Sequence, residues 1–151
     1  MLEQGFHFDV VDAVLAEQGD NPAGVARAVQ ELAKWVARND WNTILPAYAC
    51  CVRITRDIKE RFMVTPEAIQ EPEEKALCAA IKAAKVTERK PGSVDDFMHA
   101  FLPMIETINR FFDAVLVMSD DPILRTNRLG MLQMIASLAD GVADFSRLEG
   151  F

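Results

Sequence analysis

Residues 109–148 read NRFFDAVLVMSDDPILRTNRLGMLQMIASLADGVADFSRL, and their reading decides the fold. The first part, with Phe111-Phe112 and the run Val115 to Met118, closes a long apolar segment. A break at Ser119-Asp120-Asp121-Pro122 follows. Beyond it Leu124, Met131, Leu132, Ile135, Leu138 and Val142 recur at the 3.6-residue spacing of a helix. Asp121 before Pro122 predicts the start of that helix. A carboxylate caps free N–H groups there, and a proline at the first helical position gives up a donor that had no partner. The two segments are expected to pack as an antiparallel helix pair.

Working outward, the same periodicity holds along the chain. Ser93 and Asp96 form a capping-box-like start to a long fifth helix, with Phe97, Phe101, Ile105, Ile108 and Phe112 inward and a kink expected at Pro103. A fourth helix is predicted from Pro72 to about Lys85, with Leu77, Ile81 and Ala84 inward. Its Glu73 and Glu74 at the start and Lys82 and Lys85 at the end suit the helix dipole. A third is predicted from Asn39-Asp40 to about Phe62, interrupted early by Pro46. On it Arg53, Arg56 and Lys59 fall at three-residue steps and are expected to share a face. Asn21-Pro22 opens a second helix with Val25, Val29, Leu32 and Val36 as its stripe. Asp9 opens a first, ending near Gly19, its first turn stapled by Phe6 and Phe8. Nothing alternates as a strand does. The expected fold is all-α, a bundle of five or six helices in one domain over 1–151. Its core should include Val29, Leu32, Val36, Ile44, Tyr48, Ile58, Leu77, Ile81, Phe101, Ile108, Phe112, Leu132, Ile135 and Leu138.

Composition narrows the function classes. Half of the 151 residues are hydrophobic and 26% are charged, which argues against disorder. No apolar run is long enough to span a membrane and no signal pattern opens the chain, so a soluble cytoplasmic protein is expected. Cys50, Cys51 and Cys78 are odd in number and have no CxxC spacing, so they are read as small apolar side chains, with no metal site. His99 has no partner at ligand spacing. No phosphate loop, HExxH, GxSxG or paired nucleophile and base occurs, so no catalytic residue is assigned. The net charge of −7 disfavours an overall grip on nucleic acid, and leaves room for a local basic face.

FFDAVLVM, an acidic turn, LRTNRLGMLQMI and VADFSRL, in that order, resemble the C-terminal end of the bacterial glycyl-tRNA synthetase beta subunit. That end is an anticodon-binding domain named for an Asp-Ala-Leu-Arg (DALR) motif. GFHFDVVDAVLA resembles the family's opening segment, where the motif stands as Asp12-Ala13-Val14-Leu15-Ala16, and IQEPEEKAL resembles its mid-domain Glu-Pro-Glu-Glu turn. The family's Lys-Arg-Val-x-Asn-Ile element is Ala49-Cys50-Cys51-Val52-Arg53-Ile54 here, without its basic pair. The resemblance implies a DALR-like bundle, a non-catalytic C-terminal piece of a longer beta subunit, with Met1 at an added boundary. It implies tRNA(Gly) as partner and the alpha subunit as the seat of aminoacylation with ATP and Mg²⁺; this domain itself would need no cofactor. It implies neither membrane nor DNA contact. Anticodon bases are commonly splayed out, stacked and hydrogen-bonded at their edges. Arg53, Arg56, Lys59, Arg110, Arg125, Asn127 and Arg128 are the residues expected to meet the tRNA. A helical scaffold or interaction domain that binds no RNA, and the related arginyl-tRNA synthetase domain, stand as alternatives.

Overall fold

The computed structural model describes residues 8–90, 92–148 and 151. Among the described residues seven α-helices form: α1 (Phe8–Gln18), α2 (Pro22–Val36), α3 (Trp41–Thr55), α4 (Pro72–Val86), α5 (Val94–Phe101), α6 (Ile105–Ala114) and α7 (Pro122–Ser137). A 3₁₀ turn, Leu102–Met104, joins α5 to α6 without a break, so the helices make six rods. Among the described residues there is no strand. The all-α bundle expected from the periodicity is what forms.

The caps are local and chemical. Asn21, Ser93 and Asp121 accept backbone N–H bonds from Gly24, Asp96 and Ile123, and prolines follow Asn21 and Asp121 at the first helical position. Side-chain oxygens at these positions satisfy donors that the helix leaves free. At the start of α1, Phe8 is exposed and Phe6 lies outside the described residues, so the expected staple has no counterpart among them.

The core is close to the expected one. Of the fourteen residues named above, eleven are buried; Val36, Ile58 and Phe112 pack only partly buried at its edge. Phe112 shows why. An α-helix turns about 100° per residue and a 3₁₀ helix about 120°. Three 3₁₀ residues bring Met104 back in line with Phe101 and swing Ile105 aside. The inward positions after the turn are therefore Met104, Ile108 and Phe111, all within 1% of complete burial. Pro103 tightens the rod and shifts its face.

α7 is the hub. Residues 127–133 are all buried, so the helix is enclosed on every side at its middle. It packs on α3 and α4, while α1, α2 and α5 close the far side. Tyr48 on α3 meets Phe97, Phe101 and Phe145 edge-on at 5.4–5.9 Å, and its hydroxyl donates to the Ala136 carbonyl at 2.7 Å. The C-terminal VADFSRL segment leaves α7 and lies against α1. Its Asp144 N–H donates to the Ala13 carbonyl, and Arg147 pairs with Asp12 at 3.1 Å.

Two expected helix ends fall elsewhere. α6 stops at Ala114; Val115 is extended and residues 117–118 form a turn, with Val115 and Val117 buried and Leu116 and Met118 exposed. α3 stops at Thr55 rather than near Phe62. Beyond it, side chains of α7 take over the backbone bonds that a longer helix would have made for itself.

Candidate nucleic-acid interface

Asn127, Gly130 and Gln133 recur every three residues along α7 and form one face of it. The segment 60–65 lies on that face. The Phe62 N–H donates to Gln133 Oε1 at 3.0 Å, Gln133 Nε2 donates to the Glu60 carbonyl at 2.7 Å, and the Thr65 N–H donates to Asn127 Oδ1. Gly130 permits the approach: a Cβ there would sit 3.0 Å from the Phe62 carbonyl oxygen. About 100° round the helix from Asn127, Arg128 donates to Glu74 Oε1 at 2.9 Å and to the Leu116 carbonyl at 2.6 Å. The Glu74 and Arg128 side chains are 0% and 7% exposed.

These contacts correct two of the expected tRNA-facing residues. Asn127 is 2% exposed and Arg128 5%, and the polar groups of each are directed at the protein itself. A buried amide that holds a loop and a buried guanidinium that neutralises a carboxylate are not positioned to meet a nucleobase. Sequence spacing shows which face of a helix a residue occupies; it does not show that the polar face is covered by a loop.

The other five expected residues divide into separate groups. Arg125 is partly buried and donates to the Ser119 carbonyl at 3.0 Å, and Arg110 is exposed and pairs with Glu106 one turn back on α6. Arg125 is roughly 16 Å along α7 from Ala136, eleven residues at about 1.5 Å each. Near Ala136 lies the second group. Arg56 caps the end of α3 and Lys59 follows in the loop, so the expected single helical face does not form. The turn after Thr55 nevertheless brings both to one hollow of about 260 Å³, with Arg61. Arg53 points elsewhere, its guanidinium 5.4 Å from the centre of the Phe151 ring.

That hollow continues into others. A second, of about 300 Å³, shares Arg61 and Gln133 with it and adds Lys85 and Arg89. A third, of about 330 Å³, shares Lys85 and Arg89 with the second and adds Lys90. The three run as one trough across the C-terminal end of α7. Arg61 donates to Ser137 Oγ and Arg89 to the Leu138 carbonyl, both at 2.9 Å, where the negative end of the helix dipole favours cations. Among the described residues, Arg56, Lys59, Arg61, Lys85, Arg89 and Lys90 form no ion pair, whereas Arg27, Arg38, Arg110, Arg128 and Arg147 all do. Among the described residues Asp140 is the one carboxylate lining the trough. Burial, then the nearby charge of Glu17, pushes its carboxyl above the ordinary value, and Arg61 pulls it back. Lys85, Arg89 and Lys90 were not among the expected site residues, because a helix end and a polar linker look ordinary until α7 folds against them.

Glycine–tRNA ligase beta subunits of Moorella thermoacetica and Rhodospirillum centenum are 32% and 33% identical to the chain over 149 and 161 residues, covering 97% and 99% of it. The chain is related to the glycine–tRNA ligase beta subunits over nearly its whole length. A chloroplastic/mitochondrial glycine–tRNA ligase of Arabidopsis thaliana is 32% identical over 153 residues, covering all of it. The chain spans 22% of the length of each bacterial relative and 14% of the plant one. No family model matches it. No helix among the described residues is long and apolar enough to cross a membrane, and no three His, Cys, Asp or Glu side chains there converge as a metal site.

Proposed function

We propose that this chain is the anticodon-recognising domain of a cytoplasmic glycine–tRNA ligase beta subunit. It binds tRNA(Gly), while the chemistry that joins glycine to tRNA with ATP and Mg²⁺ resides on the alpha subunit. The observation that carries this reading is a group of cations left unpaired on one side of a protein of net charge −7, in a chain similar throughout to ligase beta subunits. Arg56 and Lys59 meet phosphates in the first hollow. Arg53, already against an aromatic ring, offers a guanidinium plane on which a base stacks. Asn127 and Arg128 act behind this surface by fixing the chain that carries it.

Binding of a tRNA(Gly) transcript to the 151-residue chain tests the proposal. Arg53→Glu with Arg56→Glu should abolish most of the affinity and leave the thermal midpoint nearly unchanged, since both side chains are exposed. A wild-type chain that fails to bind tRNA(Gly) at low salt overturns the proposal. The second reading, a helical interaction domain, rests on Leu116, Met118 and Ile123, which are exposed together in and beside the α6–α7 connection.

A further inference from the structure

We infer that the whole trough is a track for the phosphodiester backbone of single-stranded RNA. Its far half, Lys85, Arg89 and Lys90, would hold successive phosphates without regard to base. This inference rests on the tRNA-binding reading and adds to it a second set of contacts, from α4 and the α4–α5 loop. Three features support it.

The cations are continuous: each hollow shares residues with the next, so no neutral wall divides Arg56 and Lys59 from Lys90. They are also unpaired. Asp57, Glu60 and Glu88 lie between them in sequence, yet none of these carboxylates lines the trough or pairs with them. Six of the 16 Lys and Arg residues stand in the trough with one carboxylate, Asp140, whereas the other ten stand against the remaining 22 of the chain's 23 Asp and Glu residues. A polyanion is thus attracted here and repelled elsewhere. Finally, two of the six are held in position. Arg61 and Arg89 each use one guanidinium nitrogen on the end of α7, so the rest of each fork is fixed at the trough before anything binds.

The lining also indicates the ligand. Among the described residues no exposed aromatic ring lines the far half to stack on bases, and the available donors are those that suit phosphate oxygens. The track ends at Asp140. An adjoining hollow of about 210 Å³ shares Asp140 with the third hollow and Val52 and Ala136 with the first, and its Glu17, Asp140 and Asp144 repel a phosphate chain.

The test uses the 151-residue chain, a tRNA(Gly) transcript, and a single-stranded oligocytidylate and oligouridylate of equal length. The variant Lys85→Ala with Lys90→Ala removes two exposed cations and spares the two arginines that cap α7. Each lost phosphate contact lowers the slope of log affinity against log salt by about 0.7 for single strands, so the double variant should lose about 1.4. Affinity for the two oligonucleotides should fall by the same factor, since backbone contacts carry no sequence information. The control Lys75→Ala with Lys82→Ala removes the same charge from exposed α4 positions outside the trough and should leave the slope unchanged. If the wild type binds tRNA(Gly) but Lys85→Ala with Lys90→Ala keeps its full slope, or matches the control, the track is refuted and tRNA recognition stands. If the wild type binds no RNA, the underlying reading fails with it.

Discussion

The buried pair between Arg128 and Glu74 permits a quantitative test of what the α7 arginine does. Replacing Arg128 with methionine fills a similar volume and removes the charge. Glu74, 0% exposed, is then left with the Glu71 N–H at 3.2 Å on Oε1 and nothing on Oε2. Removing one partner of a buried pair costs about 3–5 kcal/mol, because the remaining charge is stranded. The Leu116 carbonyl also loses its donor, a further ~1 kcal/mol that access to water reduces. Against a total stability of about 5–15 kcal/mol, the variant should be severely weakened. Equilibrium urea unfolding should show it as a midpoint lower by roughly 2 M for a slope near 2 kcal/mol/M. Glu74→Leu should be similarly costly. The double variant Glu74→Leu with Arg128→Met strands no charge, so it should cost no more than either single variant, which makes the coupling at least as large as one single's cost, about 3–5 kcal/mol. A cost below about 1 kcal/mol for Arg128→Met, or a double variant equal to the sum of the singles, would refute the structural role.

Other outcomes follow from the same contacts. Leu132→Ala, at a fully buried position on α7, should cost about 2–5 kcal/mol by urea unfolding, and less than about 0.5 would contradict its placement. Gly130→Val puts atoms against the Phe62 carbonyl, so hydrogen exchange should show the Phe62 and Thr65 amides losing protection; unchanged protection would mean the segment is not held there. Asp140 has a carboxyl pKa raised by burial in the folded state, so its charge opposes folding at neutral pH and stability returns as pH falls through that value. Asp140→Asn should therefore be more stable than wild type at pH 7, with the difference vanishing in acid near the ordinary carboxylate range. A wild type as stable as the variant at pH 7 would show that the sign is wrong.

The fold was legible because helix periodicity and capping are local. Asn21-Pro22, Ser93 and Asp121-Pro122 each mark a true helix start, and every stripe they introduce reaches the core. The misplaced ends were decided by contacts distant in sequence. Nothing in residues 56–62 forbids a helix. The segment leaves helical form and rests on α7 through Gln133 and Asn127, more than sixty residues away. The register beyond Pro103 escaped because a stripe drawn at 3.6 residues per turn ignores a tighter turn.

The site was harder to read for a related reason. RTNR at the start of α7 has the residue types that meet nucleic acid, and fold stability uses the same types. Burial separates the two uses: Asn127 and Arg128 point inward at a loop and a carboxylate, while Lys59, Lys85 and Lys90 remain exposed. The buried set governs the exposed one. Asn127, Gly130 and Gln133 fix residues 60–65 against α7, and so fix Arg61 at the helix end and Lys59 at the mouth of the hollow. Without them the loop would be free to move, and cations at its start would meet a phosphate only after losing that freedom, which weakens binding by the entropy of ordering them. Asn127 thus belongs to the tRNA-binding reading as a positioning residue. Its loss should weaken RNA binding and stability together, whereas loss of Arg56 should weaken RNA binding alone.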